Sequence, residues 1–555
     1  MPPFNAGADG AFDDFGVKFS KALTFEVNGI GAANPDREGH LTKADAIGAQ
    51  RALRASFAAA IGVDESALTK SADEMNKTVS IATGLINIDL RGPAEYLVPT
   101  ITPIRNRFGR VTRPNPGNAL QYKTITSVQG SGFNWMPWVP EGSRAGKMSY
   151  TANSVAVPYV TIGEEDAITE EAREAARGFE DEDAMVQLRT LLKLMTKEEA
   201  ALLGGSGSAG AALGTPATPV LSAAGSVGTL PALTYSVIVV ALNVMGNLHS
   251  TLAAGVATTV SVTPQIGTAF SLNGGSSNKS ASATQVITLG QILSATVTPV
   301  VGAVAYAWFG GALGSETLQA ITSINSATFS APLAAGRQAA TAITADCSVN
   351  LGKAYDGFLT TAFVQAQLGN AYVMTLGTGV AGAGVQMSSS GYGSVNEIDI
   401  ALKAQYDQFR TGPTVIYVSS QEQRSITKLS LLGTGGAPLL RYNIEAGGDS
   451  EVNFTGIAGN VVSLYYNPYT GLKIPVLVHP NMPAGTIMMI CETLPSWYVS
   501  NETPVVAQVI CRKDYYTKDW APTQRQQEYG VYAQNALAIF APFAIALITN
   551  IAPTP

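Results

Sequence analysis

The segment FNWMPWVPEGSRAG, Phe133 to Gly146, runs directly into KMSYTANSVAVPYVTIGEEDAITEEA, residues 147–172. Two of the chain's five Trp, Trp135 and Trp138, stand three residues apart in the first piece, beside Pro137 and Pro140. Each proline lacks a backbone donor, so the piece suits neither a helix nor a central strand. On either side, ALQYKTITSV (residues 119–128) and NSVAVPYVTI (residues 153–162) are rich in β-branched and aromatic residues, as strands are. The pattern predicts a long two-stranded hairpin over residues 117–165, with the Trp-rich piece at or near its tip. Two large aromatics on such a loop need a surface to cover them.

Outward from the hairpin the pattern changes sharply. EEDAITEEAREAARGFEDEDAMVQLRTLLKLMTKEEAALLGG, residues 164–205, is the strongest helix signal in the chain. Acidic residues crowd its first turns, where the macrodipole favours them. Phe179, Val186, Leu188, Leu191, Leu192 and Met195 supply an apolar stripe. Gly204 and Gly205 stop it. The expectation is one helix from about Thr169 to Leu203, roughly 50 Å long at ~1.5 Å per residue, with Gly178 as a bend point.

Upstream, residues 1–40 show no period and read as an extended arm. Ile47, Leu53, Phe57 and Ile61 recur near helical spacing after Thr42, which predicts a helix over residues 43–61; a weaker one covers residues 65–77. Downstream, residues 214–345 are almost free of charge, with short Val- and Thr-rich runs such as TYSVIVVALN and VAYAWFGG between turn residues. Regular short strands predict a β-sandwich, and its linker-like edges mark it as inserted. Beyond it, residues 346–525 read as mixed α/β. A helix is expected at Glu397–Phe409, a strand and short helix at PTVIYVSSQEQRSITKLSLL, and strand, turn, strand along LKIPVLVHPNMPAGTIMMI. ALAIFAPFAIALITNI, residues 536–551, is too short for the ~20 residues a bilayer span needs and carries Pro542, so it reads as two buried strands with a bend.

Composition narrows the function. The 555 residues are 46% hydrophobic but only 14% charged, against about 25% charged in soluble domains. So little charged surface fits a chain covered by other copies of itself, since permanent interfaces are apolar. A net charge of −7 argues against sequence-specific nucleic-acid binding. Cys347, Cys491 and Cys511 are far apart and read as reduced thiols, and His40, His249 and His479 are equally scattered, so no metal site is expected. GGSGSAG, residues 204–210, has no following Lys and reads as a linker rather than a phosphate cradle. No nucleophile elbow or metalloprotease motif occurs. The sequence predicts no enzyme and no cofactor. The opening MPPFNAGADG lacks a signal-peptide pattern, so a soluble chain made inside the cell is expected.

The order of these parts resembles the major capsid protein of tailed bacteriophages, the Hong Kong 97-like fold. The residues that carry the resemblance are WVPEG at 138–142, KMSYTANSVAVPYVTIGEEDAITEEA at 147–172, ALLGGSGSAGAALGTP at 201–216 and LKIPVLVHPNMPAGTIMMI at 472–490. The resemblance implies an α+β capsid fold with an inserted all-β sandwich, divided as follows. An N-terminal arm covers residues 1–116 and an extension loop 117–165. A spine helix of the peripheral domain covers 166–213, and an immunoglobulin-like sandwich 214–345. Axial and remaining peripheral elements cover 346–525, and C-terminal strands 526–555. It implies self-assembly into hexamers and pentamers of an icosahedral head around double-stranded DNA, held without sequence-specific binding. Portal, scaffold or cement proteins would be partners, no membrane would be involved, and assembly would take place in the host cytoplasm. Trp135, Trp138, Glu141 and Arg144 become inter-subunit contacts of the extension loop, and the sandwich projects outward to brace neighbours or bind a host surface. Two other readings remain open: a tail or surface adhesin built on the sandwich, and an encapsulin-type compartment shell.

Overall fold

The computed structural model describes residues 101–113, 117–129, 138–147, 149–177, 181–264, 267–430, 462–495, 505–522 and 524–554. The arm and the two helices expected before residue 78 lie outside the described residues, as do Trp135 and Gly178. The chain forms two compact units. The smaller includes Glu165–Leu191 and Tyr516–Val531; the larger comprises Thr100–Glu164, Leu192–Tyr515 and Tyr532–Pro555.

The first strands are β1 (Arg110–Thr112), β2 (Ala119–Gln129), β3 (Ser149–Pro158) and β4 (Val160–Thr169). β2 and β3 form the expected hairpin, antiparallel from Ala119↔Pro158 to Gln129↔Ser149, with one irregularity between Ile125 and Ser127. Its base is packed. Leu120 is buried against Ile510 and Ala538. Tyr122 meets Phe540 edge-on at 5.1 Å, and its hydroxyl donates to the Ile539 carbonyl at 2.9 Å. NSVAVPYVTI is not one strand. It divides at Pro158, which has no N–H to continue a ladder, and β4 joins a different sheet, ordered β1-β19-β20-β4, where β19 is Ala507–Trp520 and β20 is Gln526–Ile539.

The long helix is also divided. α1 spans Glu170–Ala176 and α2 spans Glu182–Gly204. Thr169 caps the first, accepting from Ala172 N at 3.3 Å. Asp181 caps the second, accepting from Ala184 N at 3.2 Å. The acidic run is therefore two first turns, each with its own cap. In the smaller unit, Ile168, Val186 and Tyr529 pack together, and Asp183 accepts from Arg173 at 2.6 Å and from the Tyr529 hydroxyl at 3.0 Å.

Two antiparallel sheets follow α2. One is ordered β13-β10-β5 and the other β12-β11-β6-β9. Their strands are β5 (Val220–Ala224), β6 (Leu233–Leu242), β9 (Ala283–Ile287), β10 (Ile292–Thr296), β11 (Ala305–Gly311), β12 (Thr317–Thr322) and β13 (Ser326–Phe329). Helix α3 (Val244–His249) and the side hairpin of β7 (Thr259–Val262) and β8 (Phe270–Asn273) lie between β6 and β9. Val237, Val239, Tyr306 and Trp308 of one sheet close on Leu293, Ala295, Ala327 and Phe329 of the other. The second face of β6 and β11 is covered too: Ile238, Val240, Ala307 and Phe309 pack with Val256, Ala340 and Ile343. Burial on both faces is why TYSVIVVALN is a nearly unbroken apolar run.

The rest of the larger unit holds a six-stranded sheet ordered β14-β21-β18-β15-β17-β16. Its strands are β14 (Tyr372–Thr375), β15 (Val415–Val418), β16 (Leu464–Tyr466), β17 (Lys473–Val478), β18 (Ile487–Ile490) and β21 (Ile545–Thr549), with helices α4 (Phe358–Gln367), α5 (Asn396–Phe409) and α6 (Ser420–Ser430). β17 and β18 do not pair with each other; β15 lies between them, parallel to β17 and antiparallel to β18. The residue 536–551 segment forms the end of β20, a turn at Pro542–Ala544 and β21, two buried strands with a bend. Among the described residues, no helix is long and apolar enough to cross a membrane.

Gly205 and Gly207, just after α2, serve close approach. A Cβ on Gly207 would stand 1.9 Å from the Ala354 carbonyl oxygen, which is backbone and cannot swing aside. Gly207→Ala is therefore expected to lower the unfolding free energy by about 1–3 kcal/mol, the usual cost of overpacking. A denaturant midpoint equal to that of the parent chain would contradict this.

Candidate functional site

Two places stand out: the exposed end of the β2–β3 hairpin, and a buried cluster of charges on α2. At the hairpin end, Pro140 O accepts from Ser143 N at 3.1 Å, closing a turn over Glu141 and Gly142. Gly142 has φ +75, the conformation a type II turn asks of its third residue. This explains why the WVPEG element carries both Pro and Gly. Just before the turn, Trp138 is 80% exposed and Val139 45%. Glu141, Arg144 and Lys147 are exposed as well. Among the described residues, no ion pair involves Glu141 or Arg144. The turn thus brings Trp138, Glu141 and Arg144 together as one uncovered surface.

The charge cluster was not legible beforehand. Glu198 and Glu199 sit where α2 is otherwise apolar, and both side chains are fully buried. Glu198 binds Arg105 at 3.2 Å and Arg110 at 2.7 Å, and also accepts from the Tyr515 hydroxyl and the Asn535 amide. Arg110 reaches on to Asp514 at 2.7 Å. Both guanidinium groups lie over the Tyr515 ring, at 5.1 and 4.6 Å from its centroid. Glu199 accepts from the backbone N–H of Ile104 and of Arg105, each at 2.8 Å. It also meets His479 Nε2 at 2.7 Å. His479 Nδ1 accepts from Asn481 N at 3.1 Å, so the ring proton sits on Nε2 and is donated to Glu199.

The electrostatics follow from burial. Removal from water lowers the Arg110 value, but Glu198 and Asp514 more than offset this and hold it above the ordinary guanidinium range. Burial, reinforced by the Glu198 charge, pushes the Tyr515 hydroxyl up. A cluster whose two central carboxylates are fully buried and bonded to side chains and backbone of several elements is a tie between those elements rather than a place for a substrate. The one sequence signal was an acidic pair directly before an apolar helix end, KEEAALLGG.

The cysteines are free thiols, with Cys491 and Cys511 buried and Cys347 partly so. Burial pushes Cys491 up to about 11 and Cys511 up to about 12.

No known sequence family matches the chain, and no curated protein does. Three solved structures to which the chain is similar are the following. The capsid of a native GTA particle covers 87% of this chain and 100% of its own, at 10% identity and a TM-score of 0.37. The capsid of Myoviridae phage XM1 covers 87% and 99%, at 9% identity and 0.34. The capsid of Cyanophage P-SCSP1u covers 88% and 100%, at 8% identity and 0.34.

Two outcomes are expected. Glu198→Ala removes the buried carboxylate that Arg105 and Arg110 share, leaving Arg110 with Asp514 alone, and should cost about 3–5 kcal/mol of stability, the usual cost of breaking a buried pair, read as a fall in the denaturant midpoint. Alkali should also destabilise the fold. Cys491 and Cys511, with Tyr122 and Tyr417 pushed up to about 12 by burial, stay neutral when folded but ionise when unfolded. The unfolded state then holds fewer protons, and stability falls with rising pH by about 1.4 kcal/mol per pH unit per group. The loss begins near pH 9 for the thiols and near 10 for the phenols, their ordinary values, and is complete near 12. Unfolding midpoints that stay flat from pH 9 to 12 would contradict this.

Proposed function

We propose that this chain is a major capsid protein of a tailed phage, which closes with copies of itself into an icosahedral head around double-stranded DNA. The observation that carries the reading is the hairpin end. A ten-pair hairpin extends from a packed base and carries an indole that is 80% exposed. Leaving such a side chain in water forfeits about 1.5–3 kcal/mol of burial energy, which a neighbouring copy would recover. Trp138 acts as the anchor, Glu141 and Arg144 add charge-assisted contacts at its rim, and Trp135 is assigned the same role. Repetition of one heterologous contact around closed axes builds hexamers and pentamers.

The sparse charge and net acidity of the chain support containment of DNA by enclosure, since a tightly binding inner wall would hinder packing and release. Portal, scaffold and cement proteins are its expected partners, the virion its destination and the host cytoplasm its place of assembly. The segment of residues 214–345 is assigned as an immunoglobulin-like insertion on the outer surface.

The test is electron microscopy of particles from cells expressing the full chain or Trp138→Ala. The parent chain should give closed shells or capsomer rings. The variant should give subunits that melt at the parent temperature and assemble at least tenfold less. Normal shells from the variant would overturn the anchor role. A parent chain that stays monomeric with its scaffold supplied would overturn the shell reading.

A further inference from the structure

A domain inserted through flexible linkers would touch the rest of the chain only at its two connections. Here the contact is broader and specific. Asn325, between β12 and β13, is fully buried. Its amide Nδ2 donates to the Val297 carbonyl at 2.6 Å and to Thr378 Oγ1 at 2.8 Å, and its backbone N–H donates to Asn550 Oδ1 at 2.8 Å. Asn550 directly follows β21. Its Nδ2 donates to Asn325 Oδ1 at 3.0 Å and to the Leu376 carbonyl at 2.7 Å. The pair is reciprocal: each asparagine supplies both a donor and an acceptor to the other.

Asn550 is held at φ +61, a conformation that costs a non-glycine residue about 1–2 kcal/mol. Of the amide bonds that offset that cost, those to the backbone N–H and Oδ1 of Asn325 exist only while the sandwich is in place. Val244 and Val304, both between strands of the sandwich, also belong to the apolar core that contains Leu202, Leu203, Phe358, Ile545 and Leu547. Opening β21 alone would strand the backbone N–H and Oδ1 of Asn325 inside the protein. Opening the sandwich alone would strand Asn550 Oδ1, while its Nδ2 keeps the Leu376 carbonyl. An unpaired buried polar group costs about 1–3 kcal/mol, so either partial opening is disfavoured.

We infer that the inserted sandwich is an intramolecular clamp on β21, and that it and the six-stranded sheet open as one cooperative unit through the Asn325–Asn550 pair. This goes beyond the shell reading and does not depend on it, because the clamp acts within a single chain.

Native-state hydrogen exchange on the full chain tests it, with amides of β10 and β13 reporting on the sandwich and amides of β21 and β18 on the sheet. Asn550→Gly keeps the left-handed backbone accessible while removing the amide. It should speed exchange in both regions by the same factor, about ten- to a hundredfold. Thr378→Ala removes one hydrogen bond, and is the milder variant should the first not fold. It should give a smaller factor, again equal in both regions. Faster exchange in β21 and β18 with β10 and β13 unchanged, in either variant, would overturn the clamp.

Discussion

The structure of the larger unit depends on two adjacent carboxylates placed in the apolar stretch of α2. Glu198 and Glu199 point into the protein where no water reaches them, so each must be answered by donors or not be there at all. The answers come from far along the chain. Arg105 approaches from the segment before β1, Arg110 from the start of β1, Tyr515 from β19, Asn535 from β20 and His479 from the turn after β17. Each partner is therefore fixed in position relative to one helix. The parallel register of β1 on β19, Arg110↔Val509 through Thr112↔Cys511, follows from the same geometry, since Arg110 starts β1 and its partner Asp514 lies three residues beyond Cys511. A hydrophobic pair at 198–199 would pack as well but would not select these partners. The energetic return of such a cluster is small; what it supplies is a single arrangement.

With the interior specified in that way, the hairpin end is conspicuous for the opposite reason. Its base is packed on Ile510, Ala538 and Phe540, whereas its turn carries Trp138 into solvent. The turn itself is well formed, closed by its own hydrogen bond and by a glycine in the conformation it requires. The exposed indole is thus presented by ordered backbone. The assembly proposal rests on this turn because it holds the exposed Trp138 beside Glu141 and Arg144.

The hairpin, the acidic helix start, the apolar run of β6 and the strand–helix order around β15 were all legible from sequence, because each is a local pattern of period, cap or composition. What escaped the sequence depended on partners or on competing local signals. Asp181 was hidden inside the run EDED, where one more acid looked like macrodipole complement, yet its side chain ends one helix signal and begins another. Pro158 looked like a tolerated strand residue and is the point where the chain changes sheets. β17 and β18 read as neighbours because they are adjacent in sequence; a third strand, β15, intervenes from sixty residues earlier. Glu198 and Glu199 could not be assigned, because their burial is decided by residues up to hundreds of positions away. Within the candidate site, residue types at the turn were readable, but the difference in exposure between Trp138 and the hairpin base was not.

The same distinction between local and distant information explains the insertion. Its strands are written in short Val- and Thr-rich runs, and its linkers suggest a bead on a string. The contacts that decide its role are two asparagines 225 positions apart, one beside a turn and one after a strand. Neither has a pattern that a reading of neighbours could detect. An asparagine tolerates the left-handed conformation and offers both a donor and an acceptor, and Asn550 uses all three properties. Placing that residue immediately after β21 joins the end of that strand to the sandwich. On the inferred clamp, the sandwich is in this sense part of the framework that holds the six-stranded sheet.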